Sequence, residues 1–415
     1  MEFFEGMSEP VRQAWLRSLT NGRAARALSR RRLLQGSGAL TGAALLAACG
    51  IPASESGKDT EDEGGQQDLS AEEKVLNFSN WPLYIDVDDE NPQVRPTLDA
   101  FRAETGIEVA YTEDINDNNE FFGKIRPQLA AGQDTGRDLI VVTDWMAGRL
   151  IRQGWANRLD PTNVPNAIAN VEGRYRNAPH DPGRQYTYPW AGLATVIAYN
   201  RKATGGREIT SVSELLDDPG LKGKVSLLTE MQDTIGMVLL DMGKDPGTFT
   251  DDDFDAAVAR VQQAVDSGQL RRFTGNDYMD ELNSGDIAAC LAWAGDIVQL
   301  QYDNPDIAFT IPEQGYLFFT DDLLVPARAR HQANAEALID YYYRPEVAAE
   351  LAAWVNYFCP VAGAQVMMER IDAELAQNTL IFPDQEMTER GYAFRPLQDA
   401  EETAYQEKFA KLIGA

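Results

Sequence analysis

The chain has 415 residues, 44% of them hydrophobic and 25% charged, a globular composition long enough for two domains of ordinary size. Its formal net charge of −28 repels nucleic acid and anionic lipid headgroups, argues against both as partners, and attracts cations. The same acidity would also serve simply to keep an exported protein soluble.

The first 48 residues read as a signal rather than as fold. Arg30 and Arg31 in "SRRRLLQ" form a twin-arginine pair, and the weakly apolar stretch 33–48 is too short and too rich in glycine and alanine for a comfortable membrane span. It ends in "LAAC", which resembles the lipobox of bacterial lipoproteins and marks Cys49 as the lipidated first residue of the mature chain. An uncleaved anchor helix would tether the same domain to the same surface. Loss of residues 1–48, with seven arginines and three acids, leaves 30 basic against 62 acidic residues, so the mature domain is the more acidic. Residues 49–74 carry no aromatic residue and read as a solvated tether, with order expected from Val75.

From there helices and strands alternate. Strands are expected at 75–80, 107–115 and 138–142, and helices at 95–106, 119–132 (bent or interrupted at Pro127) and 144–154. The βαβα order implies a mostly parallel sheet. The pattern recurs with strands at 192–200, 225–229, 286–293 and 317–326. A well-marked helix at 250–268 has Thr250 as its cap and Phe254, Val258, Val261 and Val265 along one face. The strands at 192–200 and 286–293 are candidates to run between two α/β units, which would make a hinge with the ligand crevice beside it.

Enzyme signals are sparse. The only histidines, His180 and His331, lack metal-spaced partners and are expected on the surface; no G-x-S-x-G, dinucleotide fingerprint or P-loop occurs. "DINDNNE" at 114–120 lacks the glycine and glutamate of a calcium loop, so no metal site is expected, and nothing calls for a cofactor. Export permits a disulfide between Cys290 and Cys359; the alternative is two small buried hydrophobes. What stands out is the coincidence of aromatics and acids after strands: Trp81 and Tyr84 in "NWPLY", Thr143 and Trp145 in "VVTDW", Trp293 and Asp296 in "LAWAGD", Phe319 and Asp321 in "LFFTDD", and Tyr357 in "VNYF". Aromatic faces with carboxylates suit an organic cation, through cation–π contacts and charge-assisted hydrogen bonds. Taken singly, each aromatic fits a core as well as a cleft.

The segments "NWPLYID", "AFRAETGIEV", "DLIVVTDW", "GLATVIAYN", "FTGNDYMDELNSGDIAACLAWAGD" and "EALIDYYYRPEVAAELAAWVNY" match, in order and spacing, the spermidine/putrescine-binding proteins that serve ABC importers, and the chain resembles that family over about residues 75–410. The resemblance implies an α/β, two-lobed periplasmic-binding-protein-like fold of type II with several hinge crossovers. It divides the chain into 75–194 plus 294–326 and 195–293 plus 327–415. It implies cleft roles for Trp81, Tyr84, Thr143, Trp145, Phe319, Asp321 and Tyr357. Trp293 would lie along the methylene chain and Asp296 would hold an ammonium. Glu230 lies where the family places an acid, with Asp233 able to substitute or, as well, to cap a helix. Leu83 stands where the family often has an acid and Pro82 where it has a small hydroxyl residue, which puts the ligand in doubt rather than the fold. The function implied is that of a monomeric substrate-binding lipoprotein, without covalent chemistry, that carries putrescine or spermidine to a membrane permease. The alternatives are the same fold with another organic cation, an amino-acid-like ligand or an anion, a secreted carboxylate-dependent hydrolase, and a sensory lipoprotein.

Overall fold

The computed structural model describes residues 68–88 and 91–414. The signal segment, Cys49 and the tether up to residue 67 lie outside the described residues. In chain order the elements are β1 (Val75–Asn80), α1 (Pro96–Thr105), β2 (Glu108–Glu113), α2 (Asn118–Ala130), β3 (Leu139–Thr143), α3 (Asp144–Arg152) and α4 (Pro165–Asn170). The short pair β4 (Asn177–Ala178) and β5 (Asp181–Pro182) precedes the long strand β6 (Thr187–Asn200). Then come α5 (Val212–Asp217), β7 (Val225–Leu228), α6 (Met231–Asp241), α7 (Asp251–Asp266), β8 (Leu270–Thr274), α8 (Tyr278–Ser284), β9 (Ala289–Trp293) and α9 (Ala294–Asp303). The chain ends with β10 (Ile307–Thr310), β11 (Tyr316–Leu324), α10 (Gln332–Tyr342), α11 (Pro345–Val355), α12 (Ala364–Ile371), α13 (Gln385–Glu389), β12 (Gly391–Tyr392) and α14 (Asp399–Ile413).

Ten of the twelve described strands form one sheet in the order β2-β1-β3-β11-β6-β9-β7-β8, with β10 on β6 and β12 on β11, while β4 and β5 pair only with each other. Its two ends are parallel triplets, β2-β1-β3 and β9-β7-β8, as the βαβ pattern requires. The middle is not: β11 runs antiparallel to β3 and β6, and β6 antiparallel to β9, so the sheet is mixed rather than mostly parallel. All fourteen residues of β6 are buried. Its first part pairs with β11 through Thr195; from there β9 lies along one edge (195–199) and β10 along the other (197–200). The segments that join the two ends are therefore β6 and β11. The strand expected at 286–293 forms β9, which stays within the second end.

Packing departs from the expected division at two places. Helix α9, placed with the first half by the resemblance, packs on β6, β9 and β10 of the second. Helices α10 and α11, placed with the second half, pack on β1, α4 and α1 of the first. Burial of the apolar face decides each case, and sequence order along the chain does not reveal which face of the sheet a helix returns to.

Local chemistry explains the helix bounds. Thr250 caps α7 in a full capping box with Asp253, and the buried face is Phe254, Ala257, Val261 and Ala264, one residue away from the expected valine stripe, with Val258 and Val265 half-buried at its edge. Pro127 sits in the last turn of α2, where its missing N–H removes one bond, and the helix runs on to Ala130.

Residues 68–74 are not tether. The Asp68 carboxylate accepts the Ala333 N–H (3.1 Å) and Ser70 Oγ accepts the Asn334 N–H (3.1 Å), so this segment satisfies the first turn of α10 from outside. His331 is buried between Asp138 (Nδ1 to Oδ2, 3.0 Å) and Glu73 (Nε2 to Oε2, 2.9 Å), not on the surface. His180 likewise meets Asp322 (2.7 Å), which also accepts from Arg184 (2.8 Å) and Thr187 (2.9 Å). Cys290 and Cys359 are both buried and both free, the packing alternative to a disulfide.

Candidate functional site

The carboxyl ends of β1, β3, β7 and β9 point to the same gap in the middle of the sheet. Trp81 leaves β1 with its indole N–H on the Val141 carbonyl (3.1 Å), which fixes the ring across the end of β3. Pro82 and Leu83 then turn the chain sharply; Leu83 takes a left-handed φ of 55°, a conformation costing about 1 kcal/mol for such a residue. That turn brings Tyr84 back over the gap, where its ring meets Tyr357 edge-on at 5.1 Å. Trp293, the last residue of β9, meets Trp81 edge-on at 5.9 Å and donates its indole N–H to Asp233 (3.1 Å) at the start of α6.

Asp296 lies in the first turn of α9, where the helix N-terminus favours a negative charge. Three side chains donate to it: Tyr357 Oη to Oδ1 (2.6 Å), and Tyr278 Oη (2.7 Å) and Asn276 Nδ2 (2.8 Å) to Oδ2. Gly295 makes this possible, because a Cβ there would stand 2.5 Å from the Tyr357 ring. Thr143, the last residue of β3, donates to Asp321 Oδ1 (2.8 Å) and accepts from Asn118 Nδ2 (2.8 Å). Phe319 and Asp321 stand two apart within β11, not after it, and so face the same side; a bulge follows Asp321 and Asp322 turns instead to Arg184.

Of the eleven binding residues expected from the sequence, eight line one cavity, whose empty space is about 290 Å³ with its open mouth included: Trp81, Tyr84, Thr143, Trp293, Asp296, Phe319, Asp321 and Tyr357. Pro82, Leu193 and Asn276 complete its wall. Trp145 and Asp233 line a neighbouring cavity, about 330 Å³ of empty space with its open mouth included, that shares Thr143 and Phe319 with the first and adds Asp144, Gln232, Phe318 and Phe394. Glu230 lines neither. Its Oε1 accepts the Asn118 backbone N–H (2.8 Å) and Nδ2 (2.9 Å) from the facing half, while Asp117, the cap of α2, accepts from Thr229 (2.7 Å). The acid-rich stretch 114–120 is thus a helix start that touches the opposite half. Sequence reasoning missed Asn276, Tyr278 and Asn118. The first two lie inside the long matching block at 273–296, whose density of polar and aromatic residues was the available signal.

Electrostatically the gap is a set of buried acids without a base. Neither lining includes a lysine or arginine. Burial pushes the Asp296 carboxyl up to about 6, against the pull of its tyrosine and asparagine donors. Burial raises Asp321 to about 7, opposed by Thr143 and reinforced by the charges of Asp144 and Asp322. Asp233 rises to about 6 for the same first cause, opposed by Thr195 and Trp293. Glu230 is held well above the carboxylate range by burial and by Asp117. The Tyr84 hydroxyl and the Asn276 amide oxygen are buried without a partner. Such a cavity lacks a positive counter-charge, and its aromatic walls can flank an alkyl chain.

This architecture, two α/β ends joined by shared central strands with a walled gap between them, is that of a type II periplasmic-binding protein. The family model for bacterial extracellular solute-binding proteins matches residues 97–382, and the chain belongs to that family. The chain is 29% identical over 332 residues to the putrescine-binding periplasmic protein PotF of Escherichia coli (strain K12), covering 76% of this chain and 85% of that one. It is 25% identical over 338 residues to the spermidine/putrescine-binding periplasmic protein of the same organism, covering 81% and 91%. Its fold matches the TpPotD lipoprotein of Treponema pallidum with a TM-score of 0.67 at 20% identity, over 82% of this chain and all of that one. The kinship expected from the sequence motifs is borne out.

Proposed function

We propose that the chain is an exported substrate-binding lipoprotein, anchored through Cys49, that takes a polyamine of the putrescine or spermidine class in the cavity and delivers it unaltered to an ABC permease. The observation that carries this reading is the pair Asp296 and Asp321: two buried carboxylates in an aromatic-walled cavity with no basic residue beside them. Two ammonium groups would supply the missing charges, and Trp81 and Trp293 would flank the methylene chain, each cation–π contact contributing about 0.5–2 kcal/mol. The names of the relatives point the same way. Leu83, which lines neither cavity, offers no acid of its own, so the ammonium seats fall to Asp296 and Asp321. Opening of the two halves about β6 and β11 would part Trp81 from Trp293 and admit the ligand, and closure would return the two rings to the edge-on approach they have here.

Calorimetric titration with putrescine, cadaverine, spermidine, γ-aminobutyrate and glutamate tests the proposal. Diamines or polyamines are expected to bind, and Trp81→Ala and Trp293→Ala to weaken them without unfolding the chain. Binding of glutamate in preference to every amine, or of none of the amines, would overturn it.

A further inference from the structure

Helix α14 belongs by its packing to the second half. Tyr405 stacks on Phe254 of α7 at 3.7 Å between ring centroids, Phe409 meets Phe273 of β8 at 6.2 Å, and Lys408 pairs with Asp255. Arg395, just before the helix, bonds to the Phe249 carbonyl (3.1 Å) and to Glu401. These contacts fix the helix without any help from Glu402.

The Glu402 carboxylate points the other way. It is buried, and its oxygens accept only from the first half: Arg149 Nε (2.9 Å) and Nη2 (2.6 Å) on Oε1, and Arg152 Nη2 (2.6 Å) on Oε2. Arg152 Nε also reaches Asp399 (2.6 Å). Arg149 in turn lies 5.1 Å from the Trp145 ring and 5.3 Å from the Phe122 ring, so the carboxylate holds a guanidinium that backs a wall of the second cavity. The chain leading into α14 supplies Ala393 and Phe394 to that same cavity. One continuous segment thus rides on the second half, walls the outer cavity and grips the first half through charge.

We propose that residues 391–413 form a strap whose clasp, Glu402 on Arg149 and Arg152, holds the two halves closed and limits the rate at which ligand leaves. The inference rests on the reading of two closing halves. Forked carboxylate–guanidinium bonds are stronger and more directional than scattered surface pairs, and these are shielded on the glutamate side. The strap starts from β12, paired to β11, and its clasp joins α14, packed on α7, to α3, packed on β3 and β11, so a separation of the halves would pull the clasp apart. Solvent salt reaches Arg152 more readily than it reaches Asp296, so ionic strength should act on release through the clasp first.

The test is Glu402→Gln, with Arg152→Gln to complete a double-mutant cycle, read in two ways. The first is amide exchange of the ligand-free protein in the peptide containing Asn118, whose N–H is bonded across the gap to Glu230. The second is the putrescine off-rate by stopped flow at low salt (roughly 30 Å of screening near 0.01 M) and at 0.5 M (about 4 Å). Glu402→Gln should speed both by about tenfold at low salt, and salt should speed the wild type but not the variant. Unchanged exchange and off-rate in Glu402→Gln would overturn the clasp. So would faster exchange within 399–413 itself, which would mean that Glu402 merely holds α14 in place. If putrescine fails to bind while exchange follows the expected pattern, the clasp stands and the amine reading falls.

Discussion

Asp296→Asn isolates charge from shape. The carboxylate is buried and receives three donors, Tyr357, Tyr278 and Asn276. In the variant the amide oxygen can keep the two donors on the Oδ2 side. The amide nitrogen faces Tyr357, whose hydroxyl rotates to accept. The cavity keeps its form and loses one negative charge. Removing one partner of a buried, hydrogen-bonded charge pair costs 2–5 kcal/mol. The three resident donors already share the carboxylate, so the lower part of that range applies. A loss of about 2–4 kcal/mol corresponds to a roughly 30- to 700-fold rise in Kd. Titration calorimetry with putrescine at pH 7.5 measures it. The ligand-free variant should be no less stable than the parent, because the parent holds a carboxyl whose ionisation is penalised by burial up to about 6. A folded variant with a Kd within threefold of the parent would refute the assignment of Asp296 to the ligand's charge.

Binding should strengthen as pH rises from 5 to 8, by at least about tenfold, because Asp296 and Asp321 must be ionised to hold an ammonium and titrate near 6 and 7. For the ligand-free protein the sign is opposite. Carboxyls raised in the folded state bind protons that the unfolded chain has released, so each contributes stability at pH 4 that is lost as pH rises toward 7, on the order of 3 kcal/mol for a shift of about two units. Urea unfolding across that window checks it, and rising stability would contradict it. Gly295→Ala places a Cβ 2.5 Å from the Tyr357 ring and should displace that ring from Asp296, cutting putrescine affinity at least tenfold with α9 intact by circular dichroism. Asp322→Asn leaves buried Arg184 without its charge partner and should destabilise the protein by about 3–5 kcal/mol in urea. The Asp322 carboxyl is held far below its usual range by Arg184 and His180 despite burial, so this part of the stability is present at neutral pH and fades in strong acid.

The sequence makes legible what depends on short-range pattern. Strand β1 is read to the residue because "VLNFSN" sets Val75, Leu76 and Phe78 among small polar residues and ends at an asparagine before the aromatic turn, and α7 is read from its cap and acids. The convergence of Trp81 and Thr143 follows from parallel strands that share an exit edge, whereas Trp293 leaves β9, which runs opposite to β3, and meets them from the facing half. What the pattern cannot carry is orientation across the molecule. Asp321 and Asp322 are identical neighbours in sequence; only the β11 register and its bulge send one to the cavity and the other to Arg184. Glu230 and Asp233 look interchangeable, yet the start of α6 turns Asp233 to Trp293 and Glu230 to Asn118 across the gap. The two histidines read as surface residues because their carboxylate partners, Asp138 and Glu73 for one and Asp322 for the other, are remote or hidden in an acid-rich background.

Strand β6 gives one edge to β11 up to Thr195 and then to β10 from Ile197, and its other edge to β9 from Thr195 onward. A gene cut on either side of that residue would leave each fragment with a bare row of amide and carbonyl groups along an apolar ribbon, an invitation to misassembly. Split-reporter designs on this scaffold should therefore sever a surface loop and leave that ribbon whole, accepting that the two fragments become soluble only once rejoined.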